Sequence, residues 1–400
     1  MSFNVEELRK REFPWAQREE ITFLDNAKTG ALPARAVKAL AMWNELRAEP
    51  YRLSTYQDLE VFRKTRELVA KLIGAKIGDI ACTANTSHGI NVASLCLPLE
   101  RGDVVLTYDG EYPADIYPWM SLARKGVKLE MIPKHDGLQD EVRLLEELKR
   151  PEIRVVTMSW VSFSTGYRAD LATIGRACRE RGIYFVVDAI QGVGAMTLDV
   201  SKLEIDVLAC GGQKWLLSPW GTGFVYVREE LARKLEPAVV GWLAMESSED
   251  FTRMVDYELK YYDDARRFQI NTLPAQDFAG LNASIEMFLE LGPAAVEKQI
   301  EGIVSEAVRW AQANGDTVRL VTPADPKKRA GVLAIAPRDP VAASKALSEA
   351  KVFHSLREGA IRLSPHCFNT SGEMRRALDT SPSTSNALRI SPLVLKQRAL

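Results

Sequence analysis

The sequence predicts an α/β fold, with a mostly parallel sheet between helices and a smaller α+β domain after it. From about residue 80 to residue 227, short β-rich runs alternate with amphipathic helical segments. The runs are apolar throughout, as in strands that are buried on both faces. After Phe268 this alternation ends and a different pattern of helices and a strand begins, which indicates the second domain.

The predicted elements follow in chain order. The strands of the sheet are predicted over residues 79–83, 103–107, 153–158, 183–188, 206–210 and 224–227, with helices over 114–125 and 170–181 between them. The second domain is predicted to contain a helix over 277–291, a strand over 331–337, a helix over 340–351 and a final helix. Thr370 and Glu373 have the spacing of a capping box for that final helix. We predict an N-terminal segment (1–20) that packs on the small domain, a large domain (21–265) and a small domain (266–400).

Composition excludes several classes of function. The chain has 400 residues, is 46% hydrophobic and carries a net charge of −1. A chain of this size can bury a large core, and near-neutrality gives no electrostatic footprint for nucleic acid or an anionic membrane. No apolar run is long enough to span a bilayer, and no signal-peptide core is present. We therefore expect a cytoplasmic protein that binds neither nucleic acid nor membrane.

Cysteine and histidine usage argues against metal and disulfide chemistry. The five cysteines are scattered and form no CxxC pair, and there are only four histidines. This argues against a disulfide framework or a structural zinc site. No HExxH, GxSxG or P-loop pattern occurs. We predict no metal site, no serine hydrolase and no P-loop enzyme.

The stretch "GGQKWLLSP" contains a single lysine, Lys214, with no charged residue close to it in the chain. A neutral lysine in an apolar pocket is a good nucleophile and can form a Schiff base. A Schiff base with pyridoxal 5′-phosphate (PLP) needs further groups around it. These are an anion near the pyridine nitrogen, a phosphate cradle, a ring stacker and a group that binds the substrate carboxylate.

Polar residues that follow the predicted strands can supply these groups, because ligands of such sheets bind at the carboxyl ends of the strands. Asp188 ends the strand over 183–188 and is a candidate for the pyridine nitrogen, while Gln191 is a candidate for the phenolic oxygen. Thr86 and Ser87 lie where a strand passes into a helix, which suits a phosphate. Tyr112 is a candidate for stacking on the ring.

These residues belong to an ordered set of motifs. The motifs are "NTSHGIN", "EYP" followed by a tryptophan, "STGYRADL", "VVDAIQGVGA", "GGQKWL" followed by "GTGF", "RRFQINT" and "IRLSPH". Through them the chain resembles the class V aminotransferase superfamily of PLP enzymes. The resemblance runs from "FLDNAKTG" to "IRLSPHCFNT" and is strongest to the branch of cysteine desulfurases, selenocysteine lyases and isopenicillin N epimerase-like proteins. It implies fold type I, with a mostly parallel sheet of the seven-stranded type and a small C-terminal domain.

The resemblance also implies a role for each site residue. Lys214 is the Schiff-base lysine and the catalytic residue. The residues implied to bind the cofactor are Thr86, Ser87, Tyr112, Asp188, Gln191, Gln213 and Lys214, with Thr272 supplied by the other subunit of a homodimer. The residues implied to bind an amino acid substrate are Arg362, Asn26 and Phe163. A planar guanidinium fork such as that of Arg362 suits a carboxylate.

The chain departs from the desulfurase pattern in three ways, and these departures limit the activities that we predict for it. Gln213 stands where desulfurases usually have histidine, and Phe163 stands where they often have asparagine. Desulfurases also carry a loop cysteine shortly before the carboxylate-binding arginine, whereas residues 351–362 contain none. Cys367 lies beyond Arg362 and is interpreted as a packing residue. A persulfide-forming desulfurase is therefore disfavoured.

We predict a PLP enzyme that acts at Cα of an amino acid, as a transaminase or by related carbanion chemistry. The alternatives are a cysteine or cystine C–S lyase, an isopenicillin N epimerase-like epimerase and, ranked lower, a non-catalytic scaffold. An NAD(P) oxidoreductase is disfavoured because no GxGxxG follows the first strand. At single positions, simpler alternatives stay open. The alternatives are an ordinary helix cap for Thr86 and Ser87, packing alone for Tyr112 and a structural ion pair for Arg362.

Overall fold

The structure, a computed structural model, describes residues 3–54 and 56–380 of the chain. Its helices are α1 (Val5–Glu12), α2 (Ala34–Ala48), α3 (Gln57–Ile73), α4 (Thr86–Cys96), α5 (Pro113–Met120), α6 (Glu141–Glu147), α7 (Leu171–Arg179), α8 (Glu229–Ala232), α9 (Ala275–Leu291), α10 (Pro293–Ala313), α11 (Pro340–Glu349) and α12 (Ser371–Thr380). Its strands are β1 (Thr22–Phe23), β2 (Ile80–Thr83), β3 (Val104–Tyr108), β4 (Lys128–Ile132), β5 (Ile153–Ser159), β6 (Tyr184–Asp188), β7 (Val207–Gly211), β8 (Gly223–Val227), β9 (Val318–Leu320), β10 (Leu333–Pro337), β11 (Val352–Phe353), β12 (Ser355–Arg357) and β13 (Ala360–Leu363).

Seven strands form the main sheet, in the order β2-β8-β7-β6-β5-β3-β4. Strands β4, β3, β5, β6 and β7 run parallel, and β8 is antiparallel to both of its neighbours, β7 and β2. The predicted α/β fold with a mostly parallel sheet is therefore confirmed. Strand β4 was not predicted. It is the edge strand, and Lys128 and Glu130 break the apolar run that marks the buried strands.

Apolar side chains cover both faces of this sheet. Val105 of β3 and Val186 of β6 belong to one buried cluster, which includes Ile90 of α4. Their chain neighbours Leu106 and Val187 belong to the cluster on the opposite face, which includes residues of α7 and α9. Successive side chains of a strand point to opposite faces. This explains why the central strands are mostly apolar and do not alternate between apolar and polar residues.

A smaller antiparallel sheet has the order β12-β13-β10-β9. Helices α10 and α11 pack against it, and β1 pairs with β11 in a separate two-stranded sheet. Helix α1 contacts the chain near α12, where Arg9 pairs with Glu373 at 3.1 Å and the ring of Phe13 lies 4.4 Å from that of Phe368. The capping box of Thr370 and Glu373 is present. The domain boundaries at residues 20 and 265 stay predictions.

The topology brings five loops to one edge of the main sheet. Strands β2, β3, β5, β6 and β7 all point the same way, so their carboxyl ends meet at that edge. This is the usual place for a ligand in an open α/β sheet. In residues 3–54 and 56–380, no helix is both long enough and apolar enough to cross a membrane.

Candidate active site

Lys214 follows β7 at the ligand-binding edge of the sheet. It is half-buried, and its Nζ lies 5.4 Å from the centroid of the Tyr112 ring. Burial lowers the pKa of Lys214 to about 8, against a partly compensating attraction from Asp188, and the positive charge of Arg362 lowers it further. The structure thus brings four predicted site residues together, and it gives the lysine the lowered pKa that a nucleophile or general base needs.

The loop that carries Lys214 is fixed from both sides. A Cβ at Gly30 would lie 2.0 Å from the backbone oxygen of Lys214, so that only glycine fits there. On the other side, His366 is fully buried and its Nε2 lies 2.9 Å from the backbone oxygen of Trp215. Burial lowers the pKa of His366 to about 4, so the ring is neutral at physiological pH. These two contacts hold the loop in place, and they therefore fix the position of Lys214.

Asp188 is the last residue of β6, and only 2% of it is exposed. Its Oδ1 accepts a hydrogen bond from the backbone N–H of Ile190 at 2.8 Å. Burial raises the pKa of Asp188 to about 6, while that bond and the charge of Lys214 oppose the rise. Because few protein groups stabilise the negative charge of this buried carboxylate, Asp188 is suited to bind a cationic group of a ligand.

Two side chains face a common space at the start of α4. The Oγ1 of Thr86 accepts a hydrogen bond from the backbone N–H of Gly211 at 2.9 Å, and Gln213 Oε1 has no hydrogen-bond partner among the described residues. A Cβ at Gly211 would lie 2.5 Å from Gln213 Oε1 and 3.2 Å from Thr86 Oγ1. Glycine at position 211 therefore leaves room for both polar side chains beside the N-terminus of α4, and a helix N-terminus is a favourable place for a phosphate.

The cap of α4 is neither Thr86 nor Ser87. The side chain of Asn85 accepts the hydrogen bond from the backbone N–H of His88 at 2.9 Å. The alternative in which Thr86 and Ser87 form an ordinary cap is therefore wrong. Ser87 is exposed, and its hydroxyl does not cap the helix.

Gln191 is 3% exposed and is held by two protein groups. Its Nε2 donates to the backbone oxygen of Ala27 at 3.0 Å, and its Oε1 accepts from the indole Nε1 of Trp215 at 2.7 Å. One amide hydrogen remains for a ligand. Gln191 therefore ties the loop after β6 to the residue that follows Lys214.

Arg362 lies on β13 and is 2% exposed. Its Nη1 donates to the backbone oxygen of Phe163 at 2.9 Å, and its Nη2 lies 3.5 Å from Asp25 Oδ1. Asp25 in turn accepts hydrogen bonds from the hydroxyl of Ser355 at 2.7 and 2.9 Å. Arg362 therefore does form an ion pair, with Asp25, as in the alternative role given for it in the sequence analysis. However, Nε of Arg362 has no partner among the described residues, which leaves part of the fork for a ligand.

Phe163 contacts both Arg362 and Tyr112, and Asn26 contacts the backbone of Ser364, two residues beyond Arg362. Asn26 is fully buried, and its Nδ2 donates to the backbone oxygen of Ser364 at 2.9 Å while its Oδ1 has no partner among the described residues. The ring of Phe163 meets that of Tyr112 edge-on, with centroids 5.3 Å apart. Tyr112 itself is 46% exposed, so its ring is accessible from the site.

Thr272 is a predicted site residue that the structure does not bring to this group. It is exposed and makes no hydrogen bond to the part of the chain that the structure describes. Two residues with roles here were not predicted, namely Asp25, which pairs with Arg362, and Arg357. The charge of Arg357 lowers the pKa of both Lys214 and Arg362. The sequence signal for Asp25 was its place in "FLDN", one residue before Asn26.

No cysteine is placed as a sulfur acceptor. Cys82, Cys178, Cys210 and Cys367 are buried, and Cys96 is half-buried. Cys367 has no exposed surface, and burial raises the pKa of its thiol. The interpretation of Cys367 as a packing residue is confirmed.

Comparison with known proteins identifies relatives along nearly the whole chain. The family described as "Aminotransferase class-V" matches residues 22–391. A protein of Methanothermobacter thermautotrophicus named "Probable cysteine desulfurase" is 29% identical over 378 residues, covering 88% of this chain and 92% of the relative. The "Uncharacterized aminotransferase YcbU" of Bacillus subtilis is 31% identical over 330 residues, covering 80% and 84%. The apo structure of a cysteine desulfurase from Thermococcus onnurineus superposes with a TM-score of 0.82 at 26% identity, covering 94% and 98%.

Proposed function

Because this chain belongs to the class V aminotransferase family and is a PLP-dependent enzyme of amino acid chemistry, we propose that it acts at the Cα atom of an amino acid with Lys214 as its base. One observation carries the proposal. Lys214 has a pKa lowered to about 8 and shares its site with the buried Asp188 and with Arg362. A base whose pKa lies near the working pH is the form that proton transfer from Cα requires.

The residues at the sheet edge fit the cofactor. Asp188 offers the buried anion for the ring nitrogen, and Tyr112 offers an accessible ring face. Thr86, Ser87 and Gln213 surround the pocket beside Gly211, where a phosphate meets the N-terminus of α4. The free amide hydrogen of Gln191 is available for the phenolic oxygen. Bound PLP supplies an electron-accepting ring that stabilises negative charge at Cα.

The substrate carboxylate is proposed to bind to the free edge of Arg362. Asp25 and the backbone oxygen of Phe163 hold the other edge of the guanidinium, so that it keeps one orientation. Asn26 Oδ1 is a buried acceptor without a partner among the described residues, and it is proposed to take a hydrogen bond from the substrate. The rings of Phe163 and Tyr112 are proposed to form an aromatic surface beside the substrate.

Transamination is the reaction that we rank first. Lys214 removes the Cα proton. In a transamination that proton does not return to Cα, the amino group would pass to the cofactor, and water would release the keto acid. Return of the proton to the opposite face of Cα is the reaction of an epimerase, and loss of a β-substituent is that of a C–S lyase. A persulfide-forming desulfurase is disfavoured because no cysteine stands before Arg362 in residues 351–362. A panel of amino acids, scored for keto acid, sulfide and loss of optical activity, separates these outcomes. Persulfide on the protein would overturn this ranking.

Replacing Arg362 with lysine is expected to raise KM for amino acids by about 10- to 100-fold, with a smaller effect on kcat. Lysine keeps the positive charge beside Asp25, but it lacks the planar fork that binds a carboxylate at two points. Steady-state kinetics test this, with Arg338→Lys on the exposed surface as the control. Unchanged KM in Arg362→Lys would contradict the assignment.

The pKa of Lys214 predicts how cofactor attachment depends on pH. Only the unprotonated amine can form the covalent link, and burial lowers the pKa of Lys214 to about 8. The rate of attachment to cofactor-free protein is therefore expected to rise with pH and to level off above about 8, well below the value near 10.4 of an ordinary lysine. Rapid-mixing absorbance measures this rate. A rate that still rises steeply near pH 10 would contradict the environment described for Lys214.

We propose a homodimer in which Thr272 contributes to the phosphate site of the partner subunit. The exposure of Thr272 in the single chain supports the proposal. Thr272→Asp and Lys214→Ala are each expected to inactivate the enzyme, since a carboxylate repels phosphate. When the two variants are unfolded and refolded together, about a quarter of wild-type activity is expected, because roughly half of the dimers are hybrids with one native site. No recovery in dimers shown to be hybrid would exclude sharing.

We also propose that the protein resides in the cytoplasm. All five cysteines are free thiols, as in proteins of a reducing compartment. Cell fractionation with detection of the native chain tests this location, and recovery from an oxidising compartment would contradict it.

A further inference from the structure

Three polar side chains form a buried chain between α5 and β5. Ser159 Oγ lies 2.5 Å from Glu111 Oε2 and 3.5 Å from Asp115 Oδ2. Asp115 is fully buried, and Glu111 and Ser159 are 7% and 8% exposed. Glu111 Oε1, Asp115 Oδ1 and the neighbouring Thr157 Oγ1 have no hydrogen-bond partner among the described residues. The hydroxyl of Ser159 thus lies between the carboxyl groups of Glu111 and Asp115, and all three residues are buried.

This chain of polar groups adjoins Asp188. The parallel pairing of β5 with β6 places Ser159 opposite Asp188, so the two side chains leave the same face of the sheet. Burial raises the pKa of both Glu111 and Asp115, and the negative charge of Asp188 raises it further. Three adjacent buried carboxylates cannot all be ionised at an acceptable cost.

The geometry indicates where a proton resides. Ser159 has one hydroxyl hydrogen, and the distances of 2.5 Å to Glu111 Oε2 and 3.5 Å to Asp115 Oδ2 favour Glu111 as its acceptor. The longer contact to Asp115 can then be a hydrogen bond only if Asp115 donates, and a carboxyl group donates only when it is protonated. Burial favours the same assignment, because Asp115 is the more deeply buried of the two acids.

The charged and titratable groups around the chain are consistent with this polarity. Burial raises the pKa of Glu111, whereas its hydrogen bonds with Ser159 and the positive charge of Lys134, which follows β4, oppose that rise and favour the ionised form. Burial raises the pKa of Asp115 well above its usual range, and Asp188 and Glu111 add to that rise. The other titratable groups on the adjoining elements include Tyr108 of β3, Cys210 of β7 and Lys214, and burial raises the pKa of both Tyr108 and Cys210.

We propose that protonated Asp115 donates to Ser159, that Ser159 donates to ionised Glu111, and that Glu111 thereby places a second negative charge beside Asp188. The inference rests on the proposed role of Asp188 toward the ring nitrogen of the cofactor. Glu111 and Asp115 are positioning residues in it, since they act through Asp188. The second charge strengthens the attraction of the Asp188 site for a protonated ring nitrogen. The hydrogen bond from Ser159 also holds Glu111, the residue that precedes Tyr112, in place.

Infrared spectroscopy of the full-length holoenzyme tests the location of the proton without an activity assay. At neutral pH the wild-type protein is expected to show the carbonyl band of a buried protonated carboxyl group. Asp115→Asn is expected to lose this band, because the amide replaces the protonated acid and still donates to Ser159. Glu111→Gln is expected to keep it. No such band in the wild type, or loss of the band in Glu111→Gln alone, would overturn the proposal.

The matched pair of variants also separates charge from structure. Glu111→Gln removes the second negative charge, and it is expected to raise the Kd for PLP by about three- to tenfold and to lower the pKa of the bound ring nitrogen, followed with ¹⁵N-labelled PLP. Asp115→Asn keeps the charge on Glu111, and its Kd is expected to stay within about twofold. Equal effects in both variants would overturn the proposal. An infrared band in a protein that binds no PLP would refute only the proposed function.

Discussion

Replacing Lys214 with alanine is expected to remove the visible absorbance band of the protein and to lower turnover of amino acids by about 10³-fold or more. The unprotonated amine of Lys214 is the group that is proposed both to link to the cofactor and to move the Cα proton. Its loop is fixed by the close approach of Gly30 and by the contact of His366 with the backbone oxygen of Trp215, so the amine that alanine removes has one defined position. Absorbance spectra before and after borohydride, with mass analysis of the labelled peptide, measure the effect.

The matched control for this variant is Lys298→Ala, which removes an exposed lysine from α10. It is expected to keep the band, the borohydride-labelled peptide and full turnover. PLP can still be held in Lys214→Ala by the phosphate pocket and by Asp188, so weak cofactor retention without a covalent link is expected. A borohydride-stable link to another lysine, or turnover near the wild-type level, would contradict the role of Lys214.

Replacing Asp188 with asparagine is expected to lower turnover by about 10²- to 10³-fold while leaving the fold intact. Asparagine fills the same volume and can still accept from the backbone N–H of Ile190, but it cannot carry the charge that a protonated ring nitrogen requires. Burial raises the pKa of Asp188 to about 6, so the ionised side chain destabilises the cofactor-free protein at neutral pH. This cost is present above the folded-state pKa and fades as the pH falls toward about 4, the unfolded value.

The same substitution is therefore expected to leave the Tm of the cofactor-free protein unchanged or to raise it at neutral pH. Thermal unfolding near pH 7 and near pH 4, combined with kinetics of the reconstituted enzyme, tests both parts. Asp136→Asn, at an exposed turn position, is the control and is expected to change neither quantity. Full activity in Asp188→Asn would show that the ring nitrogen needs no anion here, and a large fall in Tm would assign Asp188 a structural role.

Local sequence patterns predicted the fold and much of the site because these features depend on short segments. Continuous apolar runs marked the buried parallel strands, and the strand-end rule then placed Asp188 and Lys214 at one edge of the sheet. The edge strand β4 escaped because its charged residues interrupt the pattern. Helix α10 was not predicted either, although Gly292 and Pro293 stand at its start.

The contacts that orient the site were not predictable, because they join distant parts of the chain. Arg362 and Asp25 are more than 330 residues apart, and Ser355 and Asp25 are separated by 330 positions. Glu111 was also missed as a site residue. In "YDGEYPAD" it looks like one of several polar loop residues, and its burial depends on Ser159 of another strand. Such pairings follow from the three-dimensional fold and leave no local signal.

The exchange of the Cα hydrogen of amino acids for deuterium, followed by proton NMR in D₂O, tests the central claim most directly. Proton removal by Lys214 precedes transamination, epimerisation and C–S cleavage alike, so the measurement does not depend on the fate of the carbanion. We expect the wild-type holoenzyme to exchange this hydrogen in its substrates and Lys214→Ala to exchange it at least about 10³-fold more slowly. Turnover with full retention of the Cα hydrogen, or equal exchange in both proteins, would contradict the account.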